Sequence, residues 1–578
     1  MKRSTLSTMA LLLLLTACNE NDVEASSNNS TKAAMTGTAN IALLNGKVYT
    51  VNDKQPWAEA VVIKEGKIVF VGTTVEAKKR IDASIETIDL KGKMLMPGIH
   101  DSHMHPLEAG SEVVSCILND EESINAQLAT IKACKDDDTT GTDWILGWGH
   151  SLPTLLEAAK TKSPLQILDE LIPDRPVAIM ESTSHSIWVN SAALELAKID
   201  KNTPNPQGGA ILKDAEGEPN GILLDTAGDL VTDLAFKPTP ELKQANYAGL
   251  LKGLKQVAEN GITSMVEARL YWKREYLDAY YQAQREGKLT ARTNISLWAY
   301  PTMNDTEQLK VLKGMYKNDK NSLIRVNQIK IYADGILHNT TAALLAPYKT
   351  VLNGVGSNVG LSYFTQQRLT KYVSELEKVG YDMHIHTIGD RGVRESLNAI
   401  ESAQNINPTI QARHRLTHVE VVNASDIPRF NQLGVIADFQ VTGDFALPHN
   451  HADVEPLIGD RAYGMLPVRS IYNTGATVTL SSDWDVSTLN PFVGMQHALQ
   501  LDKQSLPNLD AVIDAYTINA AYLMRQEQQT GSIEVGKYGD LIVLDQNVFN
   551  VPVSNISKTK VLLTLLGGKT VYRSANFK

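Results

Sequence analysis

Apolar runs of strand length alternate with longer amphipathic segments through the middle of this chain, and that alternation leaves few folds open to it. The runs are PVAIMES, GITSMVEA, TNISLWA, NQIKIYADG, GYDMHIHTIGD, RHRLTHVE, GVIADFQ and ATVTLSSD. Strands separated by helices pair in parallel, and this many units favours a sheet closed on itself over an open one. Both ends of the chain are written differently. IALLNGKVYTV, AVVIKEGKIVFVG and IETIDLKGKMLMPG at the front, and GSIEVGKYGDLIVLD and KVLLTLLGGKTVY at the back, read as short strands broken by glycine turns. The expected fold is therefore α/β: a (β/α)8 TIM-type barrel over 98–524, with a small β-sandwich assembled from 39–97 and 525–578. Residues 108–246 are more than a barrel loop needs, and we read them as an insertion after the first strand, lying over the barrel mouth. At 578 residues the chain has room for a large domain and an accessory one.

Charge narrows the partners. The 55 Lys and Arg are outnumbered by 65 Asp and Glu, for a net charge of -10. No basic stripe offers the counter-charge that a phosphate backbone requires, so nucleic acid is not expected as a partner.

The chain opens with Lys2 and Arg3 and an apolar run from Met9 to Leu15, a secretory signal too short to span a bilayer as a mature helix. Leu15-Thr16-Ala17-Cys18 resembles the lipobox of bacterial lipoproteins, in which the cysteine is acylated and becomes the first mature residue. That resemblance implies a signal over 1–17, a lipid on Cys18 and a location in the bacterial cell envelope, anchored to the membrane. Asn19, where an Asp would favour the inner membrane, turns the expectation towards the outer one. Residues 18–38, rich in Ser, Asn, Thr and Ala, read as a flexible tether. Cys116 and Cys134 can pair only with each other; whether they do is left open.

The stretch with most chemistry is Pro97-Gly98-Ile99-His100-Asp101-Ser102-His103-Met104-His105. Residues two apart on a strand project to the same side, so His103 and His105 can offer two imidazoles to one metal ion. His-x-His alone is weak evidence. Its place at the end of an apolar strand, where barrel enzymes put their ligands, strengthens it. By the same alternation His100 points away, and His384 lies one pleat deeper than His386, as a hydrogen-bonded core residue.

This stretch resembles the first barrel strand of the amidohydrolase superfamily, and the chain looks most like its Amidohydro_3 branch, with the YtcJ-like proteins and N-substituted formamide deformylase. Further motifs follow in order: WVNSAAL, GGAILKDAEGEPNGIL, KIYADG, HTIGDRGV, HRLTHVE, SSDWDV and GSIEVGKYGDLIVLD. The resemblance runs from about Ile41 to the C-terminus and implies the same barrel with a split sandwich. It also implies roles. His103, His105, His386, His418 and Asp483 match the metal ligands, and Lys330 falls where the branch offers a lysine. A protonated amine has no lone pair to give, so Lys330 can serve only as a carbamate, bridging two divalent ions. Its alternative is a buried ion pair with Asp334 or another carboxylate, with Glu267 as the bridging group instead. Imidazole with carboxylate-type oxygen suits zinc, one ion or two. His185, with Trp188 and Trp148, is expected along the substrate cavity; the competing reading makes both tryptophans core.

The function these residues imply is metal-dependent hydrolysis of a non-peptide C–N bond in a small molecule: an amide, formamide or cyclic amide, attacked by a metal-activated water. Asp483 would take the water's proton and pass it to the leaving nitrogen, while His418 or a second ion stabilises the oxyanion. Two rivals stand beside it. One is an ester, lactone or dipeptide hydrolase on the same centre; the other is a non-catalytic, surface-anchored binding lipoprotein.

Overall fold

The structure, a computed structural model, describes residues 40–111, 113–114, 116–120, 122–137 and 143–577. Cys18 and the signal and tether before residue 39 lie outside the described residues.

Eight parallel strands form the central sheet: β1 (Ile99–Met104), β2 (Ile262–Leu270), β3 (Arg292–Trp298), β4 (Ile324–Tyr332), β5 (Asp382–Thr387), β6 (Arg415–His418), β7 (Ile436–Gln440) and β8 (Val478–Ser481). Each pairs with the next in chain order. Nearly every residue in these strands is buried, the state of a parallel sheet with helices outside and packed side chains within. Among the described residues, the last seam, between β1 and β8, is laced by backbone hydrogen bonds at its carboxyl end. There Asp483 N–H donates to His103 C=O at 2.8 Å, and His105 N–H donates to Trp484 C=O at 2.6 Å. Closure thus happens at the level of the candidate ligands and holds two of them on adjoining backbone. At the other end of β1, Gly98 lets the chain enter the barrel, since a Cβ there would lie 2.1 Å from Thr263 Oγ1.

The glycine-broken ends of the chain meet in one sheet. Strand Met94–Pro97 pairs antiparallel with Leu541–Leu544, setting Met96 opposite Ile542. That six-stranded sheet packs its apolar side against a four-stranded one built from Ile41–Leu44, Ala60–Lys64, Lys67–Gly72 and Glu86–Asp89.

The segment between β1 and β2 carries a sheet of its own. Six strands, from Cys116–Ile117 to Pro219–Asp225, enclose separate apolar cores on either face. The run PVAIMES belongs to this sheet as Val177–Glu181 and not to the barrel. The barrel's eight strands are the His-x-His strand and the seven remaining runs. Cys116 and Cys134 are bonded to each other, fastening an edge strand of this sheet to the helix Ile124–Asp136.

Candidate metal centre

At the carboxyl end of the barrel, side chains from five strands converge. His103 Nε2 and His105 Nε2 each lie 3.2 Å from Asp483 Oδ1, across 380 and 378 positions of chain. The two rings stand 5.5 Å apart and nearly perpendicular. His418 approaches from β6, its ring 5.1 Å from that of His103 and 4.4 Å from that of His386. One ligand atom each of His103, His418 and Asp483 falls within a 4.8 Å span, a separation that one cation can bridge.

Local backbone explains how β6 and β8 aim these groups. His418 has φ of 72° and Asp483 of 54°, both left-handed, a region that residues other than glycine seldom adopt. The reversal breaks strand alternation, so adjacent residues both face inward: Thr417 bonds within the barrel while His418 turns to His386. Such strain is kept where the surrounding structure needs the side chain's direction.

Hydrogen bonds hold the ring of His103 in place. Thr417 Oγ1, which donates to Asp438 Oδ2 at 3.1 Å, lies 2.9 Å from His103 Nδ1, and His384 Nε2 lies 3.1 Å from the same nitrogen. Asp438 is itself held by the hydroxyls of Ser102, Thr479 and Ser481, at 2.7, 2.9 and 3.1 Å. Although His103, His384 and Asp438 form a second close group, its atoms are engaged in supporting the first.

Burial drives His103 and His386 well below their ordinary pKa and pushes His418 down to about 3, keeping all three neutral and able to ligate. His105 behaves differently. Burial opposes its charge, yet Asp483, 3.2 Å from its Nε2, and the nearby Glu267 carboxylate carry it up to about 9, so binding a cation there releases a proton. Burial also opposes the charge of Asp483, but the imidazoles of His103 and His105 hold its carboxyl well below the usual range. Buried nitrogens without a hydrogen-bond partner, His105 Nδ1 and His386 Nδ1, together with the paired lone pairs on Asp483, make a donor set that fits a divalent cation.

Lys330 is fully buried on β4, with Nζ 3.3 Å from His103 Nε2 and 3.4 Å from His384 Nε2. Burial lowers its pKa far below that of a free lysine, and among the described residues no carboxylate lies within 4 Å. The ion pair with Asp334 is not formed. Asp334 instead accepts the backbone N–H groups of Ala343, Ile388 and Gly389, at 2.8, 3.0 and 2.8 Å, which ties down the loop after β4. Glu267 stands at the rim with Oε1 3.7 Å from His105 Nδ1 and its other oxygen bound by Tyr280.

His100 is core, bonded to Gly98 C=O at 3.0 Å and Thr530 Oγ1 at 2.9 Å. His384 lies beneath the centre, its Nδ1 taken by Arg415 and 3.2 Å from Ser296 Oγ.

A cavity of about 350 Å3 lies beside the centre, lined by barrel and insertion; the candidate ligands do not line it, but Tyr332, His185 and Asp485 do. His185 and Trp148 line it. His185 is set by Asp225, 2.7 Å from its Nδ1, and its ring lies 5.2 Å from that of His386. Trp188 corrects the expectation that put it beside them. It is wholly buried in the insertion's own core and donates its indole N–H to Pro164 C=O at 2.8 Å. It faces the opposite side of the sheet from the cavity, so the shared motif with His185 does not mean a shared wall.

Sequence reasoning missed Thr417, Asp438 and Tyr332. Tyr332 stacks on His386 at 4.2 Å and 20° and fixes its ring. Thr417 was visible as the residue before His418 in HRLTHVE; Asp438, inside an apolar run, gave a signal only by being an acid where burial is total.

The sequence model of the amidohydrolase family matches residues 86–572. Among relatives, YtcJ of Bacillus subtilis strain 168 is 28% identical over 557 residues, 92% of this chain and 99% of its own. N-substituted formamide deformylase of Arthrobacter pascens is 24% identical over 555 residues, 93% and 99% of the two chains. The crystal structure of an uncharacterized metal-dependent hydrolase from Pyrococcus horikoshii OT3 has the same fold. It superposes with a TM-score of 0.70 at 21% identity, covering 89% of this chain and 99% of that one.

Proposed function

The chain belongs to the amidohydrolase family, and from that premise we propose that this hydrolase is metal-dependent and opens a non-peptide carbon–nitrogen bond, an amide, formamide or cyclic amide, in a small molecule. The observation carrying this reading is the meeting of His103 Nε2 and His105 Nε2 at one oxygen of Asp483, beside the cavity at the barrel's carboxyl edge. His103, His105, His386, His418 and Asp483 would hold the cation, and their imidazole and oxygen donors suit zinc. A cation there supplies Lewis acidity to a carbonyl and acidifies water.

The chain's own groups do the rest. Asp483, ionised and half-buried, accepts a proton from water and returns it to the leaving nitrogen. His418, neutral at the rim of β6, faces the oxygen on which charge develops. Burial pushes the Lys330 amine towards the neutral form, the one that attacks carbon dioxide: its nitrogen gains the carboxylate and gives up a proton. The resulting carbamate would add two anionic oxygens to the donor set. Tyr332 and Thr417 orient His386 and His103, and His185 and Trp148 bound the substrate.

Metal analysis of the purified protein, followed by a hydrolysis screen over N-formyl amines, acyl amino acids and lactones, tests the reading. Bound divalent ion with amide or formamide turnover is the expected result. Turnover of lactones alone would transfer the function to ester-type substrates, and a protein that takes up no ion under metal-replete conditions would favour a binding role.

We also place the protein in the cell envelope through acylation of Cys18. It should partition with membranes and take up a fatty-acid analogue, and Cys18→Ser should abolish both. An unlabelled protein in the soluble periplasmic fraction would reject the anchor.

A further inference from the structure

Two arginines stand on the cavity wall away from the metal centre, and nothing in the proposed chemistry uses their charge. Arg269, two residues past Glu267, and Arg274, on the following turn, both line the cavity, with side chains only 11% and 7% exposed. A guanidinium does not lose its proton in a protein, so these are two permanent charges taken almost wholly out of water. Their apolar faces are supported by aromatic rings. Arg274 lies 3.8 Å from the Tyr271 centroid and 4.5 Å from that of Phe236, and Arg269 lies 5.1 Å from that of Tyr271.

Their hydrogen-bonding capacity is left largely open. Among the described residues, the nearest carboxylate is Glu108, 3.6 Å from Arg269 Nη2 and 3.8 Å from Arg274 Nη1, beyond hydrogen-bond reach of either. One carboxylate divided between two guanidiniums cannot neutralise both. The other acids on the wall are Asp225, whose Oδ1 accepts from Tyr363 Oη at 2.6 Å and lies 2.7 Å from His185 Nδ1, Asp485, and Asp229, which burial raises to about 7, with Asp233 adding to the effect. Among the described residues, Arg269 makes one hydrogen bond, donating from Nη1 to Tyr332 Oη at 2.9 Å. Among the described residues, too, Nε of both arginines and Nε1 of Trp148 and Trp298 are buried on lining residues without a partner, as is one acceptor, Asp225 Oδ2. A buried donor with no acceptor destabilises the fold, so a wall with unpartnered donors is built to meet an acceptor-rich group.

We propose that Arg269 and Arg274 form a subsite for a carboxylate on the substrate, making the preferred substrates anionic N-acyl compounds rather than neutral amides. Two planar forks offer a carboxylate the paired N–H donors it accepts best. Tyr332 joins the subsite to the centre, since the same ring accepts from Arg269 and stacks on His386. The carboxylate is thereby held one side chain away from the reacting group, close enough to fix the scissile bond.

This inference deepens the hydrolase reading and is tested by binding, which does not need turnover. Isothermal titration of the full chain carrying Asp483→Asn compares N-formylphenylalanine with N-formyl-2-phenylethylamine, the same molecule without its carboxylate. The anionic compound should bind at least tenfold more tightly, and adding Arg274→Gln or Arg269→Gln should remove that preference. Arg274→Lys, which keeps the charge and loses the fork, should restore part of it and shows whether a loss reflects charge or folding. Equal binding of the two compounds, no binding of either, or a preference unchanged in both glutamine variants would overturn the subsite. A carboxylate preference without hydrolysis by the unmodified protein would instead sink the hydrolase reading and leave the subsite standing. Turnover of neutral formamides with no carboxylate preference would do the reverse.

Discussion

His103→Ala is expected to strip the metal and the activity together. The side chain touches every part of the centre: Nε2 lies 3.2 Å from Asp483 and 3.3 Å from Lys330, and Nδ1 anchors it to Thr417. Removing even a partner that only orients a ligand typically costs about 10–100-fold in metal affinity, so deleting a ligand should cost more. Asp483 would lose one of two imidazoles and Lys330 a neighbour, and the fold should survive because the strand's backbone pairing is untouched. The measurement is metal content beside turnover, with melting temperature as the check on folding. Stoichiometric metal and an unchanged rate in a folded His103→Ala protein would reject the centre as described. His105→Ala should behave alike, through the same oxygen of Asp483.

Asp483→Asn separates proton transfer from metal binding. A lost general acid–base typically lowers turnover by about two to four orders of magnitude, and that is the expected loss, with metal largely retained because histidines supply most donors. Folding should be near normal. Asp483 sits at φ of 54°, where Asn is among the best tolerated residues, and its backbone N–H still closes the barrel seam against His103. The competing role, a cap for the following loop, finds no support in its contacts. Ser482 Oγ is what receives Trp484 N–H, at 3.1 Å, while the Asp483 carboxylate faces the imidazoles. Should Asp483→Asn keep its rate while Asp485→Asn loses it, proton transfer belongs to Asp485, which lines the cavity two residues on.

Most of the barrel could be read from the chain because its signal is local. An apolar run ending in His386, His418 or Asp483 states both that a strand is present and where it meets solvent. The insertion was harder. PVAIMES has the same composition as a barrel strand, and only its neighbours reveal that it pairs with Ile145–His150 and Ser186–Val189. Trp188 and Trp148 differ in the same way: both are tryptophans near a strand centre, and which face each presents depends on how the inserted sheet docks on the barrel.

What the sequence by itself determined were the parallel strands and helices, the strand-end positions of the candidate ligands, and the strand character of the glycine-broken ends, all consequences of periodicity within a dozen residues. Tertiary structure alone decided the partners. Thr417 reaches His103 across 314 positions and Asp483 reaches His105 across 378, and Arg269 and Arg274 share a cavity with Trp148 from the insertion. Barrel closure brings such groups together, and it is driven by burying apolar strand faces whose sequence says nothing about which polar atoms will meet at the rim. Charge near the site follows the same logic: closure buries the Lys330 amine, which lowers its pKa, and sets imidazoles beside Asp483 that hold its carboxyl low against its burial.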